Sequence, residues 1–158
     1  MLIDKSQYSS VPSSIELLFE NDKLDIMKIL CLIYALSVKR QRYIKASEIL
    51  FYFALVNYNL IGIFGGNDCI TSPNLYFRFQ ARFKPLLISM EKLGLLELNA
   101  NVFTKPEDIK FKITIKGRGF FEENKSEFFI ELQEKYLETF ELVKFTSENS
   151  KKLKEGKL

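Results

Sequence analysis

The residue types that most often carry out enzymatic chemistry are scarce in this chain. Its 158 residues include no histidine, so the commonest general base and metal ligand is missing. Catalytic triads and histidine-based zinc sites are therefore excluded. The two cysteines, Cys31 and Cys69, make neither a disulfide framework nor a metal-binding pattern, and Cys31 falls in an apolar helical run where a buried thiol is expected. The sequence predicts structural thiols, with no metal and no cofactor.

A glycine-rich segment and a set of carboxylates are the remaining candidates for catalysis. The segment GIFGGND at 62–68 has no Lys-Ser or Lys-Thr pair after its glycines, and its spacing does not match a dinucleotide-binding fingerprint. Carboxylates could pair for acid–base work, but they recur along 122–141, where a hydrated helix face is expected. We therefore expect a protein that is not an enzyme. An enzyme that uses Asp, Glu, Lys and Tyr alone stays open, because such a site leaves no local spacing.

The middle of the chain shows a helix followed by two strands. In RFKPLLISMEKLGLLEL the apolar residues at 86–93 share one helical face, and Gly94 stands where a left-handed C-cap would end the helix. LLELNANVF at 95–103 predicts a first strand. A second is predicted at 110–115, with Ile115 among its buried apolar residues and lysines on its other face. Helix, cap, strand, hairpin and strand is a winged-helix pattern.

Helices are also predicted on the N-terminal side of this unit. Asp22 is the expected N-cap of a core helix at 24–38, and an almost wholly apolar helix follows at 46–57. Asn74 is the expected cap of a further helix at 75–83. Pro85 then either kinks that helix or takes the first-turn position of the next one.

The C-terminal part becomes acidic and then polar. Apolar residues recur at helical spacing between about 119 and 145 and predict one long amphipathic helix. SENSKKLKEGKL has few apolar groups and is expected to be disordered. The predicted class is mainly α with a small β-hairpin wing (α+β). Its parts are an N-terminal arm with one or two helical turns at 1–21, a winged-helix domain at 22–121, the amphipathic helix at 122–146 and a disordered tail at 147–158.

Basic residues would meet DNA if this pattern is a winged helix. The third helix of such a domain enters the major groove and the wing follows phosphates. The sequence does not favour sequence-specific readout, because PLLISMEKL offers few polar side chains, and a net charge of +3 is small for a DNA-binding domain. The alternative is a solvated basic surface. The candidate phosphate contacts are Arg78, Arg82, Lys84, Lys110, Lys112, Lys116 and Arg118.

Aromatic residues point towards protein partners instead. The chain has 15 Phe and 7 Tyr, and several stand on adjacent positions, more than one helix face can hide. Such side chains dominate protein interfaces, although a phenylalanine-rich core would explain them equally well. The candidate interface residues are Phe51, Phe53, Tyr76, Phe77, Phe79, Phe128 and Phe140.

A family resemblance rests on four segments within residues 22–121: DKLDIMKILCLIYALSVKR, KASEILFYFAL, RFKPLLISMEKLGLLEL and FKITIKGRGFF. Together they resemble the small winged-helix middle components of bacterial ABC-three-component defence systems, the group that includes Lamassu. The resemblance implies a non-enzymatic subunit that sits with an SMC-like ABC ATPase and an effector, often a nuclease, and helps to hold the effector inactive until foreign DNA is sensed. ITIKGRGFF, with Thr114, Gly117 and Phe120, is shared by many winged-helix proteins and supports the fold more than the family.

Two functions therefore compete. One is an assembly subunit of a defence complex, whose apolar surfaces dock onto larger partners. The other is a homodimeric winged-helix transcriptional regulator that binds double-stranded DNA. MLIDKSQYSS has no signal-peptide pattern, and no apolar run reaches the about 18 residues of a membrane span. We expect a soluble cytoplasmic protein with no membrane partner.

Overall fold

The computed structural model describes residues 13–38, 41–64 and 73–155. Six helices and three short strands in this part of the chain confirm the expected mainly α, α+β class. In chain order they are α1 (Ser13–Leu36), β1 (Ile44–Lys45), α2 (Ala46–Asn57), α3 (Pro73–Lys92), β2 (Leu96–Asn99), β3 (Lys110–Ile113), α4 (Ile115–Asn124), α5 (Glu127–Leu142) and α6 (Ser147–Glu155).

The three strands form one antiparallel sheet in the order β1-β3-β2. Phe111 of β3 lies opposite Ile44 of β1 and Leu98 of β2, and Ile113 lies opposite Leu96. The predicted alternation holds along β3, where Phe111 and Ile113 are buried and Lys110 is exposed. A strand face that buries every second residue fixes the register of the sheet against the helices.

Helix α3 ends at the predicted glycine cap. Gly94 has φ 81°, the left-handed conformation that costs a glycine little. The Gly94 N–H donates to the Glu91 carbonyl and the Leu95 N–H to the Met90 carbonyl, both at 2.9 Å. This Schellman pair satisfies two carbonyls at the helix end and turns the chain into β2. The predicted C-cap is therefore confirmed.

Pro85 lies inside α3, which is a single helix. Asn74 lies inside α3, which begins at Pro73, and is not its cap. Of the two alternatives for Pro85, one helix that contains the proline is confirmed, and a new helix that begins there is wrong. A proline there removes one intrahelical hydrogen bond. The apolar face that α3 packs into the core, which includes Phe83, Leu86 and Leu87, offsets that loss.

Helix α1 is longer than predicted. It runs unbroken from Ser13, so Asp22 lies within the helix and is not its N-cap. No glycine or proline stands between Ser13 and Leu36 to interrupt it. The short helical piece expected in the N-terminal arm is thus the first part of α1. Residues 1–12 of that arm lie outside the described residues.

The second predicted strand ends early and a helix follows at once. Thr114 caps α4: its Oγ1 accepts a hydrogen bond from the Gly117 N–H at 2.9 Å and donates one to the Gly94 carbonyl at 2.6 Å. Ile115, expected to be buried in the strand, is therefore on the first turn of α4 and 89% exposed. The first strand also ends early, since β2 stops at Asn99 rather than 103.

The C-terminal region contains three helices where one helix and a disordered tail were expected. Lys125 and Ser126 separate α4 from α5. The tail forms α6, which begins after Thr146, whose Oγ1 accepts a hydrogen bond from the Asn149 N–H at 3.0 Å. The prediction of disorder is wrong for Ser147–Glu155 because Leu153 is buried against the rest of the chain. Residues 156–158 lie outside the described part.

One hydrophobic core joins these elements. Its buried residues come from α1, α2, α3, the sheet, α4, α5 and α6. Helix α2 lies at its centre, with eight consecutive buried residues from Ile49 to Val56. Such a helix, apolar on nearly every side, needs neighbours all round it. The other helices and the sheet supply them.

Candidate interaction site

Two observations concern the potential metal ligands and the thiol that the structure describes. No group of three or more potential metal ligands occurs within residues 13–38, 41–64 and 73–155. Burial raises the pKa of the Cys31 thiol to about 12, so this thiol is protonated and unreactive at neutral pH. Its Sγ lies 3.6 Å from the Phe129 carbonyl oxygen, to which it donates a weak hydrogen bond. Cys31 therefore has the structural role that the sequence predicts, whereas Cys69 lies outside the described residues, as does 65–68 of the glycine-rich segment.

A cleft opens between α2, α3 and the sheet, and we call it the α3 cleft. Its volume is about 200 Å³. The wall is mainly apolar and includes Leu50 of α2, Phe83 and Leu87 of α3, and Phe111 of β3. Lys154, at the end of α6, also lines it. The C-terminal helix thus contributes to a site that the sequence assigns to no function.

The turn between β2 and β3 presents two apolar side chains to solvent. Asn101 Oδ1 accepts hydrogen bonds from the Phe103 N–H at 2.9 Å and from the Thr104 hydroxyl at 3.1 Å. The Thr104 Oγ1 in turn accepts one from the Asn101 N–H at 2.9 Å. Residues 101–104 therefore form an ordered turn, here called the hairpin tip. Val102 and Phe103 on this tip are 92% and 90% exposed.

Three of the predicted interface aromatics belong to the core of the chain itself. Phe51, Phe53 and Phe79 are all buried, and the rings of Phe53 and Phe79 stack with centroids 4.4 Å apart. The prediction that these rings face a partner is wrong: α2 and α3 pack Phe53 against Phe79, and the Phe51 ring packs against Phe64 and Phe145. Adjacent aromatic residues can all be hidden when a helix is enclosed on every side.

The other predicted aromatics have different positions. Phe140 is half-buried and packs edge-on against Tyr52, with centroids 4.7 Å apart. Phe128 is about half exposed at the start of α5 and contacts Phe129. It is the predicted interface residue that keeps a substantial free surface. The side chains of Tyr76 and Phe77 lie outside the described part of the structure.

Several predicted phosphate contacts already interact within the chain. Arg82 forms ion pairs with Asp22 at 2.7 Å and Asp25 at 2.9 Å, which tie α3 to α1. The Arg118 guanidinium lies 5.6 Å from the centre of the Tyr34 ring.

The lysines among the predicted phosphate contacts make fewer interactions within the chain than these arginines do. The Lys112 ammonium lies 5.4 Å from the Tyr43 ring centre, whereas Lys84, Lys110 and Lys116 are exposed. The Arg78 side chain lies outside the described residues. The basic residues that could reach a phosphate are thus fewer than the sequence suggests.

Sequence reasoning missed the hairpin tip and the α3 cleft. The tip had a local signal: Asn101 and Thr104 flank Val102 and Phe103 at the spacing of a side-chain-stabilised turn. Because Val102 and Phe103 are apolar, the sequence predicts them as part of the first strand and not as part of a turn. The cleft had no such signal, because its wall joins residues from five separate stretches of the chain.

None of the helices in the described part of the chain is long and apolar enough to span a bilayer. Comparison with protein families, curated proteins and solved structures finds no match for this chain. The features of the molecule that bear on its function are the hairpin tip, the α3 cleft and the exposed charges.

Proposed function

We propose that this protein is a winged-helix assembly subunit that docks onto a larger protein through the hairpin tip. The order α1-β1-α2-α3-β2-β3, with β3 between β1 and β2, is the order of helices and strands in winged-helix domains and supports that assignment. In this arrangement α3 is the third helix and the connection between β2 and β3 is the wing. The hairpin tip is then the end of the wing.

The exposure of Val102 and Phe103 is the observation that carries the docking proposal. These two adjacent large apolar side chains are about nine-tenths exposed, so they contribute almost no burial to the stability of the fold. The hydrogen-bonded turn holds them in place before any partner binds, which lowers the entropy cost of binding. A rigid aromatic anchor that enters a pocket is the usual form of an interface hot spot. A wing that follows DNA phosphates would instead carry cations at this position.

The resemblance to ABC-three-component systems suggests which partners to test. In such a system this chain would bridge an SMC-like ABC ATPase and an effector, and would itself carry out no reaction. The exposed Phe128 on α5 offers a second contact surface on a different element. A bridging subunit needs two such surfaces, and the hairpin tip and Phe128 are candidates for them.

Affinity purification of tagged protein from its native operon tests this proposal. We expect wild-type protein to copurify with a large ATPase and a second chain. Phe103→Ser should lose one of these partners while the chain stays folded, because Phe103 makes no contribution to the core. Ile115→Ser is the matched control: Ile115 is 89% exposed, so its loss should leave both partners bound. If Phe103→Ser protein retained every partner, docking through the tip would be excluded.

A homodimeric DNA-binding regulator is the second candidate, and three exposed lysines favour it. Lys84, Lys110 and Lys116 form no ion pair within the described residues. Under this proposal they would bind phosphates. Replacing all three by Gln would then lower the slope of log affinity against log salt by about 2.7, as expected for three lost phosphate contacts.

Fluorescence anisotropy with a labelled duplex measures that slope. Lys125→Gln/Lys135→Gln protein is the control, because these exposed lysines lie just before α5 and within α5, on elements other than α3 and the hairpin. Unchanged duplex affinity and slope in the triple variant would exclude the regulator function.

A further inference from the structure

We infer that the α3 cleft is a binding site for a small organic anion with an apolar body. The first observation is the wall. Leu50, Phe83, Leu87 and Phe111 line the cleft, and the lining side chains are predominantly apolar. A surface of this kind releases water readily when an apolar ligand binds.

Size limits the ligand. The volume is about 200 Å³, and an apolar cavity of roughly 150 Å³ accepts benzene. By the same proportion the α3 cleft encloses a body of about eight non-hydrogen atoms. That corresponds to one aromatic ring with a short substituent, and it is too small to enclose a nucleotide or a long acyl chain.

The charged residues at the cleft indicate that the ligand carries a negative charge. Lys84 from α3 and Lys154 from α6 both line it and are exposed. Neither ammonium forms an ion pair within the parts of the chain that the structure describes. Glu107 supplies one carboxylate to the described lining, so the two lysines leave an excess of positive charge. Ala46 and Ser47, the first residues of α2, add the positive end of a helix dipole to the same wall.

The ligand class follows from these features together. An aromatic ring would pack between Phe83 and Phe111, while a carboxylate would accept hydrogen bonds from Lys84 and Lys154. Because Lys154 belongs to α6, such a ligand would connect the C-terminal helix to α3. This inference goes beyond docking through the hairpin tip and does not depend on it, since Val102 and Phe103 do not line the cleft.

A matched series of small probes tests the site. Phenylacetate, phenylacetamide and 2-phenylethylamine share a ring and differ in charge. We expect phenylacetate to cause saturable amide shifts in ¹H–¹⁵N spectra of the full chain, centred on Lys84, Leu87 and Lys154, with a Kd of about 1 mM or tighter. Phenylacetamide should bind more weakly, and 2-phenylethylamine should bind weakest of the three.

Variants separate a specific site from non-specific adsorption. Lys84→Gln and Lys154→Gln should each weaken phenylacetate binding by about fivefold and leave phenylacetamide binding unchanged. Lys92→Gln on α3 and Lys151→Gln on α6 are the controls, because these exposed lysines do not line the cleft. Leu98→Trp should fill the cleft and abolish binding, since Leu98 lines it but is half exposed and can be enlarged without disturbing the core.

Two results would overturn the inference. One is the absence of saturable shifts with phenylacetate. The other is equal binding of the anion, the amide and the amine, because the cleft would then not select for negative charge. Neither result would affect the partner-loss test at Phe103, so failure of this site and failure of the docking proposal can be told apart.

Discussion

At the scale of single residues, Gly117 shows why the sequence GRG must begin with glycine. The N-terminal turn of α4 lies directly against the turn that ends α3, and Thr114 links them through hydrogen bonds to Gly94 and Gly117. A Cβ added at Gly117 would overlap the Leu95 carbonyl oxygen and crowd Ile113. The backbone of α4 can come this close only because residue 117 has no side chain.

Two glycines of the same helix allow a controlled test of this contact. Gly117→Ala should lower the free energy of unfolding by about 1–3 kcal/mol, as expected when an added methyl group forces packed backbone apart. Gly119→Ala should be neutral or stabilise the protein by up to about 1 kcal/mol, because a Cβ at Gly119 meets no atom and Ala favours helix more than Gly. Urea unfolding followed by circular dichroism measures both. Equal stability of the two variants would show that α4 does not approach Leu95 this closely.

At the scale of elements, α6 is held mainly by one side chain. The helix is polar, yet Leu153 is 1% exposed because α6 packs against α2 and α3. Leu153→Ala should remove most of that anchor, at a cost of about 2–5 kcal/mol for a buried leucine. Amide hydrogen exchange should then become fast throughout Ser147–Glu155. Lys151→Ala, at an exposed position of the same helix, should leave the exchange unchanged. Slow exchange in the Leu153→Ala protein would mean that other contacts hold α6.

The elements also differ in how far the sequence could predict them. The end of α3 was predictable, since Gly94 acts through its own backbone conformation and its nearest neighbours. Helix α6 was not, because a single leucine in a lysine-rich segment becomes an anchor only when α2 and α3 provide a surface for it. The burial of Phe53 and Phe79 was missed for a related reason: each ring is covered by an element distant in the chain.

The candidate sites likewise differ in whether a local sequence pattern could predict them. The basic strand β3 and the exposed Phe128 could be identified from local pattern. The pairing of Arg82 with Asp22 and Asp25 could not, since it depends on where α1 passes α3. The α3 cleft depends on the joint placement of helices and sheet, and no sequence window contains that information.

At the scale of the whole molecule, hydrogen bonds of two tyrosines in the protein interior join the C-terminal part of the chain to the N-terminal helices. The Tyr136 hydroxyl of α5 accepts a hydrogen bond from Asn57 Nδ2 of α2 at 2.8 Å. It donates to the Lys28 carbonyl of α1 at 3.2 Å. Tyr52 of α2 likewise donates to the Val143 carbonyl at 2.9 Å. These hydrogen bonds join α1, α2 and α5 at the centre of the protein. The loss of one of the bonds should therefore lower the stability of the whole fold.

The same buried groups should make the protein sensitive to alkali. Burial raises the pKa of Tyr136 well above its ordinary value of 10.0, and raises the pKa values of Tyr52 and Cys31 to about 12. In the unfolded chain these groups lose their protons near their ordinary values, before the folded protein does. The unfolded state therefore binds fewer protons above about pH 9, and stability that is fully present below that pH is lost as the pH rises towards the folded-state pKa values.

Tyr136→Phe should change this pH dependence in a defined way. At neutral pH the variant should be less stable by about 1–3 kcal/mol, because the Lys28 carbonyl loses its donor and Asn57 loses an acceptor. Above about pH 10 its free energy of unfolding should fall less steeply than that of the wild type, by up to about 1.4 kcal/mol per pH unit, since one titrating group has been removed. Urea unfolding from neutral pH to about pH 11 measures both effects. Parallel curves above pH 10 would show that the Tyr136 phenol does not resist ionisation in the folded protein, and the closed packing of α1, α2 and α5 around it would then have to be abandoned.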